Sequence, residues 1–242
     1  MKPLAIFLTT TLLWTSTTIA QSFDKSIDKD SLLHAIVNDM PAEKRAKFLK
    51  LYNDGSAQSK EFLLFMAAMP SSSKKALISN VDANYDKIAY LRTQYAKLVP
   101  PNYEVLIEFN PENKLIDEQE SIDLRITELK NKETKVLQDW RLPYNSNKLN
   151  DLLKIIQWDA GTLAIIKKLL LDAHCVSIEN GEITTIGFAR SGMGKYSYRW
   201  FEKDLTRDQI KNWNNGCSDI FYKRNIVLEY GGGAIGSQCF PD

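Results

Sequence analysis

The spacing of the apolar residues changes abruptly at Pro100-Pro101, and this change most constrains the fold. Before the two prolines, apolar residues recur every three or four positions, which is typical of helices with one buried face. After them, the apolar residues Tyr103, Val105, Ile107 and Phe109 alternate with Glu104, Leu106 and Glu108, which is typical of a half-buried strand. We therefore predict an α+β protein, with a helical region over residues 21–100 and an α+β domain containing antiparallel strands over 101–242.

The longest helical pattern runs from Ser73 to Leu98 and predicts one continuous helix. Its apolar stripe comprises Leu77, Val81, Tyr85, Ile88, Leu91, Tyr95 and Leu98. Ser71 to Ser73 offers an N-cap, because a serine hydroxyl can accept a hydrogen bond from an otherwise unpaired amide of the first turn. Such a stripe is typical of a bundle core, and the alternative is a surface for self-association.

Tight turns between the strand-like runs predict antiparallel pairing in the second half of the chain. Asn180-Gly181 separates the runs 175–179 and 182–189 and predicts a two-residue type I′ hairpin. Further strands are predicted at 122–127, 134–140, 195–201, 220–222 and 226–230. Between the third and fourth of these, Thr206 and Gln209 have the spacing of a capping box, and Gly216 is expected to end the helix that they begin.

The N-terminus has the pattern of a secretory leader. Lys2 is followed by the uncharged apolar run Leu4 to Trp14, and Thr18 and Ala20 place small residues before a cleavage point. The run is shorter than the roughly 20 apolar residues that a membrane-spanning helix needs. We therefore predict a signal peptide over 1–20, cleaved after Ala20, and a soluble protein that is secreted or periplasmic and has no membrane span after cleavage.

Charge and metal-ligand content exclude several classes of function. The chain has 31 Lys and Arg against 30 Asp and Glu, and loss of Lys2 with the leader makes the two equal. A nucleic-acid partner is not expected, because such proteins concentrate a basic excess on one face. The two histidines, His34 and His174, lie far from each other in sequence, and the cysteines show no CxxC spacing. No metal site is predicted.

The three cysteines of an exported chain allow one disulfide and one free thiol. Cys217 follows the predicted helix stop, and Cys239 follows a glycine-rich tail that can fold back along the last hairpin. We predict a Cys217–Cys239 disulfide and a free, buried Cys175.

No cofactor is predicted. Gly231 to Gly236 fits the pattern GxGxxG, but too few residues follow it to form the helix and second strand of a dinucleotide site. Gly194-Lys195 lacks the flanking residues of a phosphate-binding loop, because Ala189 and Tyr196 stand where that loop needs glycine and serine or threonine.

The segment from Gly187 to Phe201 combines glycine, aromatic and basic residues, the types that recognition surfaces favour. The predicted binding residues are Arg190, Ser191, Lys195, Tyr196, Tyr198 and Arg199, together with Gly232 and Gly233 of the tail. Arg190 is expected to be exposed, because turn residues flank it. Tyr196, Tyr198 and Trp200 alternate, however, so the alternative is that their side of the strand is core.

These features favour a non-catalytic recognition role in the cell envelope, as an inhibitor or immunity-type protein that binds a protein or another envelope component. One alternative is an envelope hydrolase with Ser191 or a cysteine as nucleophile and His174 as base. A second alternative is a structural envelope protein that self-associates through the helix from Ser73 to Leu98.

Overall fold

The computed structural model describes residues 27–38, 40–112, 119–130, 133–232 and 236–241. The predicted signal peptide and Gly233 lie outside these ranges. The described residues form eight helices, which are α1 (Lys29–Asn38), α2 (Ala42–Asp54), α3 (Ala57–Ala68), α4 (Lys74–Ala83), α5 (Tyr85–Leu98), α6 (Asn147–Ile155), α7 (Ala160–Asp172) and α8 (Arg207–Trp213). They also form eight strands, which are β1 (Tyr103–Asn110), β2 (Ser121–Lys130), β3 (Glu133–Pro143), β4 (Ser177–Glu179), β5 (Thr184–Ser191), β6 (Gly194–Trp200), β7 (Asp219–Lys223) and β8 (Ile226–Gly231).

The strands form one antiparallel sheet in the order β3-β2-β1-β4-β5-β6-β8-β7. Most neighbours in the sheet are also neighbours in sequence, as short connections require. The main exception is β4, which pairs with β1 after the chain has passed through α6 and α7. The predicted α+β class is confirmed, and β3 and β7 are the two edge strands.

Helices α4 to α7 pack on one face of the sheet, which we call the inner face. The alternation in each strand turns its apolar residues toward this face. Together with the helices they form a single core whose buried strand residues include Val105, Ile107, Ile122, Leu124, Ile178, Ile186, Tyr196, Tyr198, Ile226 and Leu228. The opposite, outer face carries the alternate, mostly polar residues of the same strands. Helices α1 and α2 pack on α3, whose Leu64 is buried.

The predicted continuous helix from Ser73 to Leu98 is wrong, because the chain forms two helices that are interrupted at Asn84. Asn84 leaves the helical conformation at φ −123° and ψ 21°. Its side chain donates to Asn80 Oδ1 at 2.9 Å, a local polar contact that competes with helix continuation. The N-cap prediction is confirmed, since the Ser73 hydroxyl accepts from Ala76 N. The apolar stripe lies in the protein's own core, with Leu77 and Leu91 fully buried.

The predicted type I′ hairpin at Asn180-Gly181 is also wrong. β4 ends at Glu179 and β5 begins at Thr184, so the connection covers residues 180–183, and of the dipeptide only Gly181 has a positive φ. The Asn180 side chain instead accepts from Val105 N at 2.7 Å and donates to Tyr103 O at 3.0 Å. It thereby extends the hydrogen bonding of β1 beyond the end of β4.

The capping box at the start of α8 is confirmed, with Thr206 and Gln209 bonding each other's main chain. The helix ends at Trp213, before the expected Gly216, which lies in the following turn with φ +70°. None of the described helices combines the length and the apolar character that a membrane crossing would need.

The predicted disulfide between Cys217 and Cys239 is confirmed, and Cys175 is a buried free thiol. The tail returns antiparallel to β8 through a bridge between Gly231 and Ser237. Gly231 is required there, because its φ is +119° and an added Cβ would lie 2.4 Å from the carbonyl oxygen of Gly236.

Candidate functional site

The tyrosines of the predicted binding segment belong to the core. Tyr196 and Tyr198 are fully buried on the inner face. The Tyr198 hydroxyl donates to Leu77 O at 2.8 Å and accepts from Asn80 Nδ2 at 3.2 Å, and burial raises the pKa of Tyr198 well above its ordinary value. The assignment of Tyr196 and Tyr198 to a binding surface is therefore wrong. The alternative, that this side of the strand belongs to the core, is confirmed. The physical reason is that this side of β6 faces α4.

Ser191 holds two segments of main chain together. Its Oγ accepts from Ser72 N at 3.2 Å and lies 3.5 Å from Ser72 O. Next to it, the Gly192 amide donates to Pro70 O at 2.9 Å. The loop before α4 is thus attached to the tip of the β5–β6 hairpin.

The groups proposed for a hydrolase are not brought together. No hydrogen bond among the described residues joins His174 to Ser191 or to Cys175. His174 is exposed just after α7, with φ +52°. The Cys175 thiol is buried near the Ala173 carbonyl, and burial raises its pKa to about 12, so the reactive thiolate is not populated near neutral pH.

One row of polar and small residues crosses the outer face at right angles to the strands. Each member is the register partner of the next, and in spatial order the row is Asp123, Glu108, Ser177, Gly187, Ser197, Glu229 and Asp219. The acidic residues lie toward the two ends and the small residues lie in the middle. This arrangement leaves space over the centre of the face for long basic side chains.

At one end of the row, Arg190 and Lys195 neutralise two carboxylates. Arg190 donates from Nε to Glu108 Oε1 at 2.5 Å and lies 3.3 Å from Asp123 Oδ2, and Lys195 Nζ donates to Glu108 Oε2 at 3.0 Å. The carboxylate side chains are only 3% and 6% exposed, against 38% for Arg190. Arg190, which was expected to be exposed, is partly exposed, and two buried acids hold its guanidinium.

Gly187 makes room for this arrangement. A Cβ at this position would lie 2.1 Å from Ser177 Oγ and 3.0 Å from Lys195 Cδ. The Lys195 side chain therefore passes over the bare α-carbon of Gly187 and reaches both Ser177 Oγ, at 3.0 Å, and Glu108. The glycine has a steric role at this crossing.

Arg199 neutralises the other end of the row. It pairs with Glu229 and with Asp219, and its guanidinium stacks 4.9 Å from the ring centroid of Trp213. The three basic residues of the predicted patch are thus engaged within the protein. Gly232, from the same prediction, forms a turn in which its amide donates to Gly236 O at 2.7 Å.

The electrostatics of the Glu108–Asp123 pair point to a structural role. Burial raises the pKa of Asp123, and the neighbouring Glu108 raises it further. The Arg141 amide, the Arg190 guanidinium and the Asn110 side chain act in the opposite direction. Burial also lowers the pKa of Arg141, as does the nearby charge of Arg190. The pair is held by internal donors, and the described residues contain no cluster of three or more His, Cys, Asp or Glu side chains suited to a metal.

A second part of the outer face is exposed and was missed by the sequence prediction. Leu129, Val136 and Trp140 are 44%, 50% and 49% exposed, and Arg141, which follows Trp140, is exposed too. We call these four residues the β2–β3 patch. Trp140 and Arg141 form a bulge opposite Asp123, where Arg141 adopts φ +56°. The detectable signal was an adjacent Trp-Arg pair at the point where the alternation of β3 breaks down.

Comparison of the chain with protein-family models, with curated proteins and with solved structures finds no match.

Proposed function

We propose that this protein is an exported, non-catalytic recognition protein that binds a protein partner of the cell envelope through the β2–β3 patch. The observation that carries the proposal is the exposure of Trp140 and Arg141 on the same face of the sheet as Val136 and Leu129, which lie further along the β2–β3 pair. Tryptophan and arginine dominate the energetics of protein interfaces, and they do so when they are surrounded by residues that exclude water.

The geometry of the patch supports rigid recognition. The bulge that carries Trp140 and Arg141 is anchored, because the Arg141 amide donates to the buried Asp123 carboxylate at 2.8 Å. Asp123 is in turn bonded by Arg190 and Asn110. A patch fixed in this way loses little conformational freedom on binding, which favours affinity.

Export is proposed from the leader and is supported by the disulfide, since such bonds persist in oxidising compartments. The hydrolase alternative gains no support, because Ser191 bonds main-chain groups and Cys175 is buried. The self-association of the helix from Ser73 to Leu98 gains none either, because its apolar stripe is part of the core.

The test is affinity capture from the envelope fraction with the mature chain as bait, followed by affinity measurement with the captured protein. Trp140→Ala should weaken binding by at least about 2 kcal/mol, roughly thirtyfold in Kd. Tyr90→Ala is the matched control, because Tyr90 is an equally exposed aromatic residue on α5, away from the patch. Equal binding by Trp140→Ala and the parent chain would exclude the patch as the interface.

A further inference from the structure

The C-terminal tail lies in a groove beside the end of β8, where it runs antiparallel to that strand. The Gln238 amide donates to Tyr230 O at 3.3 Å, and the Phe240 amide donates to Cys217 O at 2.9 Å. An extended segment is therefore held between two parts of the protein by main-chain hydrogen bonds. Such bonds give affinity without depending on the side chains of the bound segment.

One side chain of the tail packs into the protein. Phe240 is half-buried, whereas residues 236–239 are exposed. The ring centroid of Phe240 lies 5.8 Å from those of both Tyr196 and Tyr230, and 5.6 Å from Lys74 Nζ. We call Tyr196, Tyr230 and Lys74 the aromatic slot. Because Tyr196 is fully buried, the Phe240 ring is part of what covers it.

The contacts in the aromatic slot favour an aromatic side chain. Rings attract each other at centroid separations of about 4.5–7 Å, and a lysine ammonium is attracted to the face of a ring within about 6 Å. An aliphatic side chain of similar size gains neither interaction. The slot therefore selects one position of an extended peptide, and the exposed positions 236–239 impose no such requirement.

The disulfide between Cys217 and Cys239 holds the tail in this groove, because Cys239 directly precedes Phe240. Cys239 is exposed and Cys217 is half-buried, so the Cys239 sulfur is the one that a reductant reaches. One thiolate of a dithiol attacks that sulfur, forms a mixed disulfide and releases the Cys217 thiolate. The second thiol of the reductant then displaces Cys239. The reductant leaves as a disulfide, and its two electrons and two protons remain on the two protein thiols.

We propose that the aromatic slot and the groove beside β8 form a peptide-binding site, which the protein's own tail occupies until the Cys217–Cys239 disulfide is reduced. The ligand is an extended segment of another protein with an aromatic side chain at the position of Phe240. The tail identifies this chemistry, because it is itself such a segment and occupies the groove. The site lies at the β6–β8 part of the sheet, so it does not rest on the β2–β3 patch.

Reduction alone leaves the tail attached to β8 through residues 232–236. A tethered segment has an effective concentration in the millimolar range, so the tail competes with an incoming peptide. Removing the Phe240 ring weakens this competitor and leaves the groove unchanged. The test therefore uses the full-length chain with Cys217→Ser, Cys239→Ser and Phe240→Ala, which we call the open variant.

The probe is a fluorescein-labelled peptide with the sequence of residues 236–242 and the change Cys239→Ser. We expect fluorescence anisotropy to show saturable binding to the open variant and none to the oxidised parent chain. The same peptide with Phe240→Ala is the matched control and should bind at least about tenfold more weakly. Thermal melting verifies that the open variant is folded at the assay temperature.

Each part of the proposal has an outcome that overturns it. Absence of binding by the folded open variant would exclude the groove as a peptide site. Equal affinity of the oxidised parent chain and the open variant would exclude control by the disulfide. Equal affinity for the two peptides would exclude the aromatic slot.

Hydrogen exchange measured by NMR tests control by the disulfide in the parent chain itself. After reduction with dithiothreitol, the Gln238 and Phe240 amides should exchange at least about tenfold faster, because the tail then leaves its acceptors part of the time. The Leu228 amide, in the middle of β8, is the matched control and should keep its rate. Alkylation of two thiols verifies the reduction, since Cys175 is buried.

Unchanged exchange of the two tail amides in the reduced chain would overturn control by the disulfide. Acceleration of the Leu228 amide by the same factor would also overturn it, because the sheet as a whole would then be opening.

Discussion

Removal of Arg190 tests the charged network of the outer face. Its guanidinium contacts the Glu108 and Asp123 carboxylates, which are almost completely buried. Removing one partner of a buried ion pair costs roughly 3–5 kcal/mol, because the other charge is left uncompensated. Two features reduce this figure: Arg190 is itself partly exposed, and Lys195 still pairs with Glu108. We expect Arg190→Ala to lower the free energy of unfolding by about 2 kcal/mol.

Equilibrium denaturation in urea measures this loss. Arg207→Ala is the matched control, because Arg207 is exposed on α8, and it should change the free energy of unfolding by under about 0.5 kcal/mol. The double change Arg190→Ala/Asp123→Asn should recover part of the loss, since it removes the uncompensated carboxylate. A cost for Arg190→Ala no larger than that of the control would refute the reasoning.

The pH dependence of the free energy of unfolding that Arg190→Ala loses provides a further check. The folded-state pKa of Asp123 is raised, so the folded protein holds this proton more tightly than the unfolded chain does. The contribution of Asp123 to the free energy of unfolding therefore falls as pH rises from its ordinary pKa through the raised value. The deficit of Arg190→Ala should shrink as pH is lowered through that range, because a protonated carboxyl needs no counter-charge. A deficit that grows on acidification would contradict this sign.

Three other changes probe separate parts of the fold, each measured by urea denaturation. Gly187→Ala should lower the free energy of unfolding by about 1–3 kcal/mol, because its Cβ would overlap Ser177 Oγ and displace Lys195. An unchanged free energy of unfolding would show that the side chains around Gly187 are not tightly packed. Tyr196→Ala should cost about 3 kcal/mol or more, since the ring is fully buried. Cys217→Ser with Cys239→Ser should cost about 3 kcal/mol by freeing the tail, and parent-like stability would exclude that role.

The sequence by itself determined the features that depend on neighbouring residues. The change of period at Pro100-Pro101 predicted where helices give way to strands, because burial on one face imposes a period on nearby side chains. The capping box at Thr206 and the Cys217–Cys239 disulfide also followed from local turn chemistry and the reach of a hairpin.

Only the tertiary structure decided which side chains are free. Arg190 looked exposed among turn residues, and it pairs with Glu108, 82 positions away, because β4 joins the sheet beside β1. The choice between core and surface for Tyr196 depended on which face the helices cover. Trp140 is exposed because its strand ends the sheet. Strand order is set by long-range packing, and a periodic pattern shows that a strand has two faces without showing what covers them.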